Sequence, residues 1–223
     1  MSRRFAAILF DMDGTLIDSE PIWHQMEIKV MAEAGYNWQP HDQEFCLGGP
    51  LSKVGRYMSS LVHDEKPPEF FIDSLVSGVT KELSKSVTTV SGALDFARDV
   101  YRADIPAALV SASPRTLMNA CLEGFAHLAP DLAEMFALSI SMDDVNKTKP
   151  DPEGYLRAAQ LLKIDIESAL VIEDSQTGIN AGLASGAFVL AVPHLLTPAP
   201  HPRMVVIDSL VGHTVDSISQ LFS

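Results

Sequence analysis

The chain has 223 residues, of which 47% are hydrophobic and 20% charged, and its formal net charge is −13 at pH 7. This length and apolar content suit a folded protein of one or two domains and exclude a disordered chain. The negative charge argues against nucleic acid or an anionic membrane surface as a partner, because both attract cationic proteins. A small phosphorylated molecule is compatible with this charge if a bound divalent cation offsets the repulsion.

The two cysteines, Cys46 and Cys121, have no partners at metal-ligand spacing. We interpret both as free thiols in a reducing compartment. The apolar run over residues 5–10 is too short for the hydrophobic region of a signal peptide, and no segment reaches transmembrane length. We therefore expect a cytoplasmic protein.

Short continuous apolar runs alternate with helical patterns along most of the chain. The runs are residues 5–10, 105–110, 169–172, 187–192 and 204–207, and helices are predicted over 114–122, 152–162, 176–185 and 213–222. Continuous apolar runs of strand length are typical of strands buried on both faces. The alternation predicts an α/β fold with a doubly wound, Rossmann-like parallel sheet.

Between residues 17 and 87 this alternation is interrupted. Three apolar stripes at helical spacing lie there, over residues 22–34, 51–62 and 70–83. The pattern predicts an αβ core of residues 1–16 and 88–223 with a helical cap domain, residues 17–87, inserted into it. The stripes suit the core of a helix bundle better than the lining of a substrate pocket, although both remain open.

Acidic residues follow two of the predicted strands. Asp11 and Asp13 come directly after the first, before Gly14, and Glu173 and Asp174 follow the run over residues 169–172. Ligands of open α/β sheets bind beyond the carboxyl ends of the strands. A simple Asp-Gly turn and a surface acidic pair are the alternatives, whereas a calcium loop of the EF-hand type lacks its required spacing. Clustered carboxylates repel one another, so the pattern predicts Mg²⁺.

Two further polar positions could bind an anion, one after a predicted strand and one before a predicted helix. Ser111 ends the run over residues 105–110, and Ser113 before Pro114 is predicted to cap the next helix. Lys149, held by Pro150, precedes another helix and could neutralise an anion. Taken singly, helix capping and a solvated lysine are the simpler interpretations.

Together these motifs resemble those of the haloacid dehalogenase-like hydrolase superfamily. The matching features are DMDGT at residues 11–15, Ser111, Lys149-Pro150 and Glu173-Asp174, in this order. The longer segments FDMDGTLIDS at 10–19 and IEDSQTGI at 172–179 are similar to the β-phosphoglucomutase-like phosphatase branch. An α-helical cap inserted after the first motif is characteristic of that branch.

The resemblance implies a role for each matched residue. Asp11 is the nucleophile that forms an aspartyl-phosphate, Asp13 is the general acid and base, and Ser111 and Lys149 complete the catalytic set. The implied metal ligands are Asp11, Asp13 through its backbone carbonyl, Glu173 and Asp174; the implied phosphate contacts are Met12, Ser111, Ala112 and Lys149. The resemblance thus implies a monomeric Mg²⁺-dependent phosphatase of small phosphorylated metabolites, sugar phosphates foremost.

Four alternatives remain within this resemblance. A β-phosphoglucomutase-type mutase carries a cap histidine ten residues after the second aspartate, where this chain has Trp23, with His24 next to it. A phosphonate hydrolase needs a cap lysine, for which Lys53 is the candidate, and it usually lacks the aspartate that is Asp13 here. Dehalogenases lack that aspartate too. A non-catalytic binding module is the fourth, since fold does not fix function.

Overall fold

The computed structural model describes residues 4–47, 50–193 and 197–222. Its strands are β1 (Ala7–Phe10), β2 (Ala107–Val110), β3 (Phe136–Ile140), β4 (Ala169–Glu173), β5 (Phe188–Ala191) and β6 (Met204–Val206). Its α-helices are α1 (Glu20–Glu33), α2 (Pro40–Cys46), α3 (Leu51–Leu61), α4 (Pro68–Leu83), α5 (Ala93–Arg102), α6 (Arg115–Leu128), α7 (Glu153–Leu162), α8 (Gln176–Ser185) and α9 (Val215–Leu221). Among the helices of the described residues, none is both long enough and apolar enough to cross a bilayer.

All six strands pair in parallel in the order β3-β2-β1-β4-β5-β6. Alternate side chains of β1 enter different apolar clusters: Ile8 and Phe10 one, Ala7 and Leu9 the other. Both faces of the sheet are therefore covered, as successive side chains of a strand point to opposite faces. The predicted doubly wound α/β fold is confirmed.

Strand β3 was not among the predicted elements. It lies at the edge of the sheet, and its residues are exposed or only partly buried except for Ile140. A strand with little burial needs no continuous apolar run, which is why periodicity does not reveal it. The short helix α2 and the helix α5 were also not predicted.

Helices α1 to α4 all fall within residues 17–87, and β1 to β6 all lie outside this range. The three predicted apolar stripes correspond to α1, α3 and α4. The division into residues 1–16 and 88–223 against 17–87 stays a prediction.

The two connections into this helical segment run side by side. Asp18 donates its amide hydrogen to the Thr88 carbonyl at 2.8 Å, and Val90 donates to Leu16 at 3.2 Å. Beyond them α4 packs on α6, where Gly124 permits the approach: a Cβ there would lie 2.0 Å from the Leu83 carbonyl oxygen. One apolar cluster consequently extends from the sheet into the helical segment.

Candidate active site

The register of the central strands brings the reactive segments together. Phe10 of β1 pairs with Leu109 of β2 on one side and with Ile172 of β4 on the other. The residues that follow these three positions therefore meet at one edge of the sheet. The Asp11 amide extends the pairing by donating to the Ile172 carbonyl at 3.0 Å.

Three carboxylates converge at this edge. Asp11, Glu173 and Asp174 each offer an oxygen, and these oxygens lie within 4.8 Å of one another. Gly14, whose φ is +79°, leaves room for the Asp174 carboxylate, since a Cβ there would lie 2.3 Å from Asp174 Oδ2. Thr15 donates its hydroxyl to Asp174 Oδ1 at 3.2 Å. The tight turn after β1 is thus shaped around the acidic residue after β4.

Lys149 lies between two of these carboxylates. Its ammonium donates to Asp11 Oδ1, to Glu173 Oε1 at 2.6 Å and to the Val110 carbonyl at 2.9 Å. Burial lowers the pKa of Lys149, but the negative charges of Asp11 and Glu173 outweigh it, and the pKa is raised. The surroundings of Lys149, whose side chain is only 8% exposed, therefore favour its charged form.

One ammonium does not neutralise this site. Burial, followed by the charge of Glu173, raises the pKa of Asp11 well above its ordinary value, although Lys149 acts in the opposite direction. A further cation would favour the ionised carboxylate. The donors are all oxygens, the ligand type that Mg²⁺ prefers. The residues present therefore fit a divalent metal ion.

Glu173 is completely buried and held by several donors. Its Oε1 accepts a hydrogen bond from the Tyr155 hydroxyl at 2.6 Å in addition to that from Lys149, and its Oε2 accepts one from Ser175 at 3.2 Å. Gly178 makes room for this carboxylate, because a Cβ there would lie 1.8 Å from Oε1. Tyr155 was not among the predicted site residues, because its only signal in the sequence is its place after the Lys149 loop, at the start of α7.

The Asp13 carboxylate points elsewhere. Its Oδ1 accepts from the Ser19 hydroxyl at 2.6 Å, and its Oδ2 accepts from the Ser113 hydroxyl at 2.8 Å. The prediction that Ser113 caps the next helix is wrong: α6 begins at Arg115, and Pro114, with extended backbone, is the N-cap residue. The Ser113 hydroxyl is therefore free to bond Asp13 across 100 residues of sequence.

The predicted phosphate contacts surround Asp11. Ser111 is buried directly after β2, and its Oγ accepts from the Ser113 amide at 2.9 Å, which leaves its own hydroxyl hydrogen available. Within the described part of the chain, the amides of Met12 and Ala112 donate to no protein acceptor. Unpaired amides at strand ends are suited to an anion.

The residues on which the mutase and phosphonate alternatives depend lie in the helical segment, away from the carboxylate cluster in sequence. Trp23 packs against the apolar cluster, and His24 Nδ1 lies 3.9 Å from Glu27 Oε2. Lys53 donates to the Phe45 carbonyl at 2.8 Å, with its ammonium 4.1 Å from the centre of the Phe45 ring.

Comparison with known proteins decides the family, because the model of the haloacid dehalogenase-like hydrolases matches residues 8–192. The chain belongs to this family. This confirms the resemblance drawn from the four motifs.

Both cysteines are also free, as expected, and both are buried.

Several curated relatives of this haloacid dehalogenase-like chain are named phosphatases. It is 28% identical to hexitol phosphatase A of Escherichia coli, over 97% of this chain and 94% of that protein. It is 30% identical to the bifunctional riboflavin kinase/FMN phosphatase of Arabidopsis thaliana, over 92% of this chain, which spans only 54% of that longer protein. A solved structure from Thermotoga maritima, provisionally named a β-phosphoglucomutase, is 25% identical with a TM-score of 0.73, covering 86% of this chain and 88% of that one.

Proposed function

We propose that this protein is a Mg²⁺-dependent phosphatase that hydrolyses small phosphate monoesters through an aspartyl-phosphate on Asp11. The observation that carries this proposal is the meeting of Asp11, Glu173 and Asp174, with Lys149 bound to the first two of these carboxylates. A buried carboxylate with too little compensating charge is costly unless a ligand completes it. At Asp11, a bound divalent cation would compensate the carboxylate charge, and that cation would in turn bind a phosphate.

In the first half of the proposed reaction, a carboxylate oxygen of Asp11 bonds to phosphorus as the ester P–O bond breaks. The leaving oxygen keeps the electron pair of that bond and receives a proton from Asp13, so that an alcohol departs. In the second half, water attacks the phosphorus of the aspartyl-phosphate and gives a proton to Asp13, while the bond from phosphorus to the Asp11 oxygen breaks and that oxygen keeps the electron pair. Inorganic phosphate leaves and Asp11 is regenerated; two easier displacements replace one difficult step.

The other residues of the site would stabilise the charge of the phosphoryl group and hold the metal ion. Lys149, the Ser111 hydroxyl and the amides of Met12 and Ala112 would bind the phosphoryl oxygens, where phosphoryl transfer needs positive charge and preorganised donors. Asp11, Asp174, Glu173 and the Asp13 backbone carbonyl would hold Mg²⁺. When bound, the ion neutralises carboxylate and phosphoryl charge and helps to orient the substrate.

The substrate class we propose is a phosphate on an alcohol of a hydroxylated carbon chain, as in sugar and polyol phosphates. A hexitol phosphatase among the relatives supports this class. The FMN phosphatase relative fits it too, since the phosphate of FMN ends a ribityl chain. We also propose a monomeric cytoplasmic enzyme that acts on neither nucleic acid nor membranes.

A panel of phosphate esters tests this proposal. The purified chain, with 5′-FMN, sorbitol 6-phosphate and glucose 6-phosphate as substrates, should release inorganic phosphate with Mg²⁺ and none with excess EDTA. Asp11→Asn is the matched negative control. Absence of Mg²⁺-dependent release from every ester, including p-nitrophenyl phosphate, would support the non-catalytic binding module instead.

A mutase is the second candidate, favoured by the structural similarity to a β-phosphoglucomutase-type protein. The presence of Trp23 where mutases carry histidine disfavours it. With β-glucose 1-phosphate and a glucose bisphosphate primer, the phosphatase should yield free phosphate. Accumulation of glucose 6-phosphate would identify a mutase. A phosphonate hydrolase is disfavoured because Lys53 is bound to Phe45 within the cap.

A further inference from the structure

We infer that Ser113, anchored by Arg115, is a positioning residue for the acid–base carboxyl of Asp13. The inference rests on the proposed function and adds to it two residues that none of the four motifs includes. Asp13 delivers a proton to the leaving oxygen only if its carboxyl is turned towards that oxygen. The final torsion of an aspartate side chain is intrinsically broad, so this orientation must come from neighbouring groups.

Ser113 is itself fixed at every polar atom. Its hydroxyl donates to Asp13 Oδ2 at 2.8 Å, its amide donates to Ser111 Oγ at 2.9 Å, and its carbonyl accepts from the Met142 amide at 3.1 Å. A hydroxyl held on a backbone bonded at both sides has little freedom to move. With the Ser19 hydroxyl on the other oxygen of Asp13, it can therefore fix the rotation of the carboxyl to which it donates.

Arg115 holds the loop that carries Ser113. Its guanidinium donates to Ser139 Oγ at 2.7 Å, to the Ser139 carbonyl at 3.0 Å and to the Asp144 carboxylate. Its backbone amide donates to Asp143 Oδ2 at 2.7 Å. These bonds join the start of α6 to β3 and to the segment after β3, which supplies the Met142 amide to Ser113. Arg115 thus supports Asp13 through Ser113.

The positioning role can be recognised from how the hydrolysis rate depends on the basicity of the leaving group. An alkoxide leaving group is strongly basic and needs a proton as the ester bond breaks, whereas p-nitrophenolate leaves without one. Misorientation of Asp13 should therefore slow the hydrolysis of an alkyl phosphate much more than that of p-nitrophenyl phosphate. Damage to the fold, or to phosphate binding, would slow both. The value of kcat/KM reports the steps up to the first irreversible one, and so isolates formation of the aspartyl-phosphate.

The test compares kcat/KM for sorbitol 6-phosphate and p-nitrophenyl phosphate, with Mg²⁺, in wild type and Ser113→Ala. We expect about a tenfold loss on the sorbitol ester, the effect of one hydrogen bond to a carboxylate, and less than twofold on the nitrophenyl ester. Asp13→Asn should show the same selectivity with a loss of about 10² or more. Ser113→Thr, which keeps the hydroxyl, should restore the sorbitol activity. Thr116→Ala removes an exposed hydroxyl in the first turn of α6 and should change neither rate.

Arg115→Met provides a second variant. We expect its kcat/KM to fall more on the sorbitol ester than on the nitrophenyl ester, but by less than in Ser113→Ala. Its melting temperature shows whether it is folded. Equal losses on both esters in Ser113→Ala, or no loss on either, would overturn the positioning role. Wild-type protein that is inactive on both esters would overturn the proposed function itself. An active wild type whose Ser113→Ala variant loses activity equally on both esters would overturn only the positioning role.

Discussion

Two buried aspartates, one in the core and one in the helical segment, meet opposite electrostatic surroundings. Asp42 of α2 is fully buried and accepts hydrogen bonds from the Gln39 amide at 2.8 Å, from Tyr36 at 3.2 Å and from Tyr57. Burial alone would raise the pKa of Asp42, but these bonds outweigh it and lower the pKa.

Asp11 is the opposite case. Lys149 is its one side-chain donor within the described residues, two other carboxylates are close by, and its pKa is raised. Burial is therefore common to both sites and does not distinguish them. What distinguishes Asp11 is charge that the protein leaves uncompensated, and such a site is completed by something from outside. We interpret Asp42 as structural and Asp11 as functional.

The largest expected effect is that of Asp11→Asn, which should remove activity without lowering stability. Asp11→Asn should abolish phosphate release, because an amide does not form the aspartyl-phosphate. It should leave stability in EDTA unchanged or higher, because the raised pKa means that ionised Asp11 destabilises the metal-free fold at neutral pH. Phosphate assays and thermal melts of the same preparation measure both. A large loss of stability would show that Asp11 is structural.

Lys149→Gln is the next test of the core site. We expect a loss on the order of 10² to 10³ in kcat, as for other preorganised donors to a reacting oxyanion. Lys147→Gln, on an exposed side chain of the same loop, is the matched control and should remain within twofold of wild type. Steady-state kinetics on sorbitol 6-phosphate measure this effect. Similar activity in both variants would remove Lys149 from the mechanism.

Asp42→Asn tests the other side of the comparison. It removes the charge that accepts from Tyr57, Tyr36 and Gln39, so we expect a loss of about 3 kcal/mol in the free energy of unfolding. Urea unfolding measures this loss. His41→Ala, which removes only the exposed histidine 3.2 Å from Asp42, should cost less than about 1 kcal/mol. Folded Asp42→Asn that lost activity but not stability would contradict the structural assignment.

The smallest effect concerns Glu27 in α1. Burial and then the charge of Glu20 raise the pKa of Glu27 from 4.5 to about 7. Between these values the folded protein binds more protons than the unfolded chain, so this residue makes stability fall as the pH rises. Relative to wild type, Glu27→Gln should gain about 1 to 2 kcal/mol at pH 8 and little at pH 4.5, allowing for partial solvent screening. Parallel pH profiles from urea unfolding would contradict this.

Local sequence patterns predicted the central strands, in which consecutive residues are all buried. The run ending at Phe10 and the residues after it located β1 and Asp11, since both depend on neighbours in sequence. The edge strand β3 and the hydroxyl of Ser113 could not be predicted in this way. Ser113 follows a helix-capping pattern, yet its actual partner is Asp13, and only the parallel pairing of β1 with β2 brings the two together.

Trapping the phosphorylated enzyme tests the central claim most directly. Protein quenched in acid during turnover of p-nitrophenyl phosphate with Mg²⁺ should yield a peptide that carries one phosphoryl group on Asp11. Reduction with borohydride should convert that residue to homoserine. The label should be absent with EDTA and in Asp11→Asn. A phosphoryl group found on any other residue, or an Asp11→Asn protein that still turns over, would contradict the account.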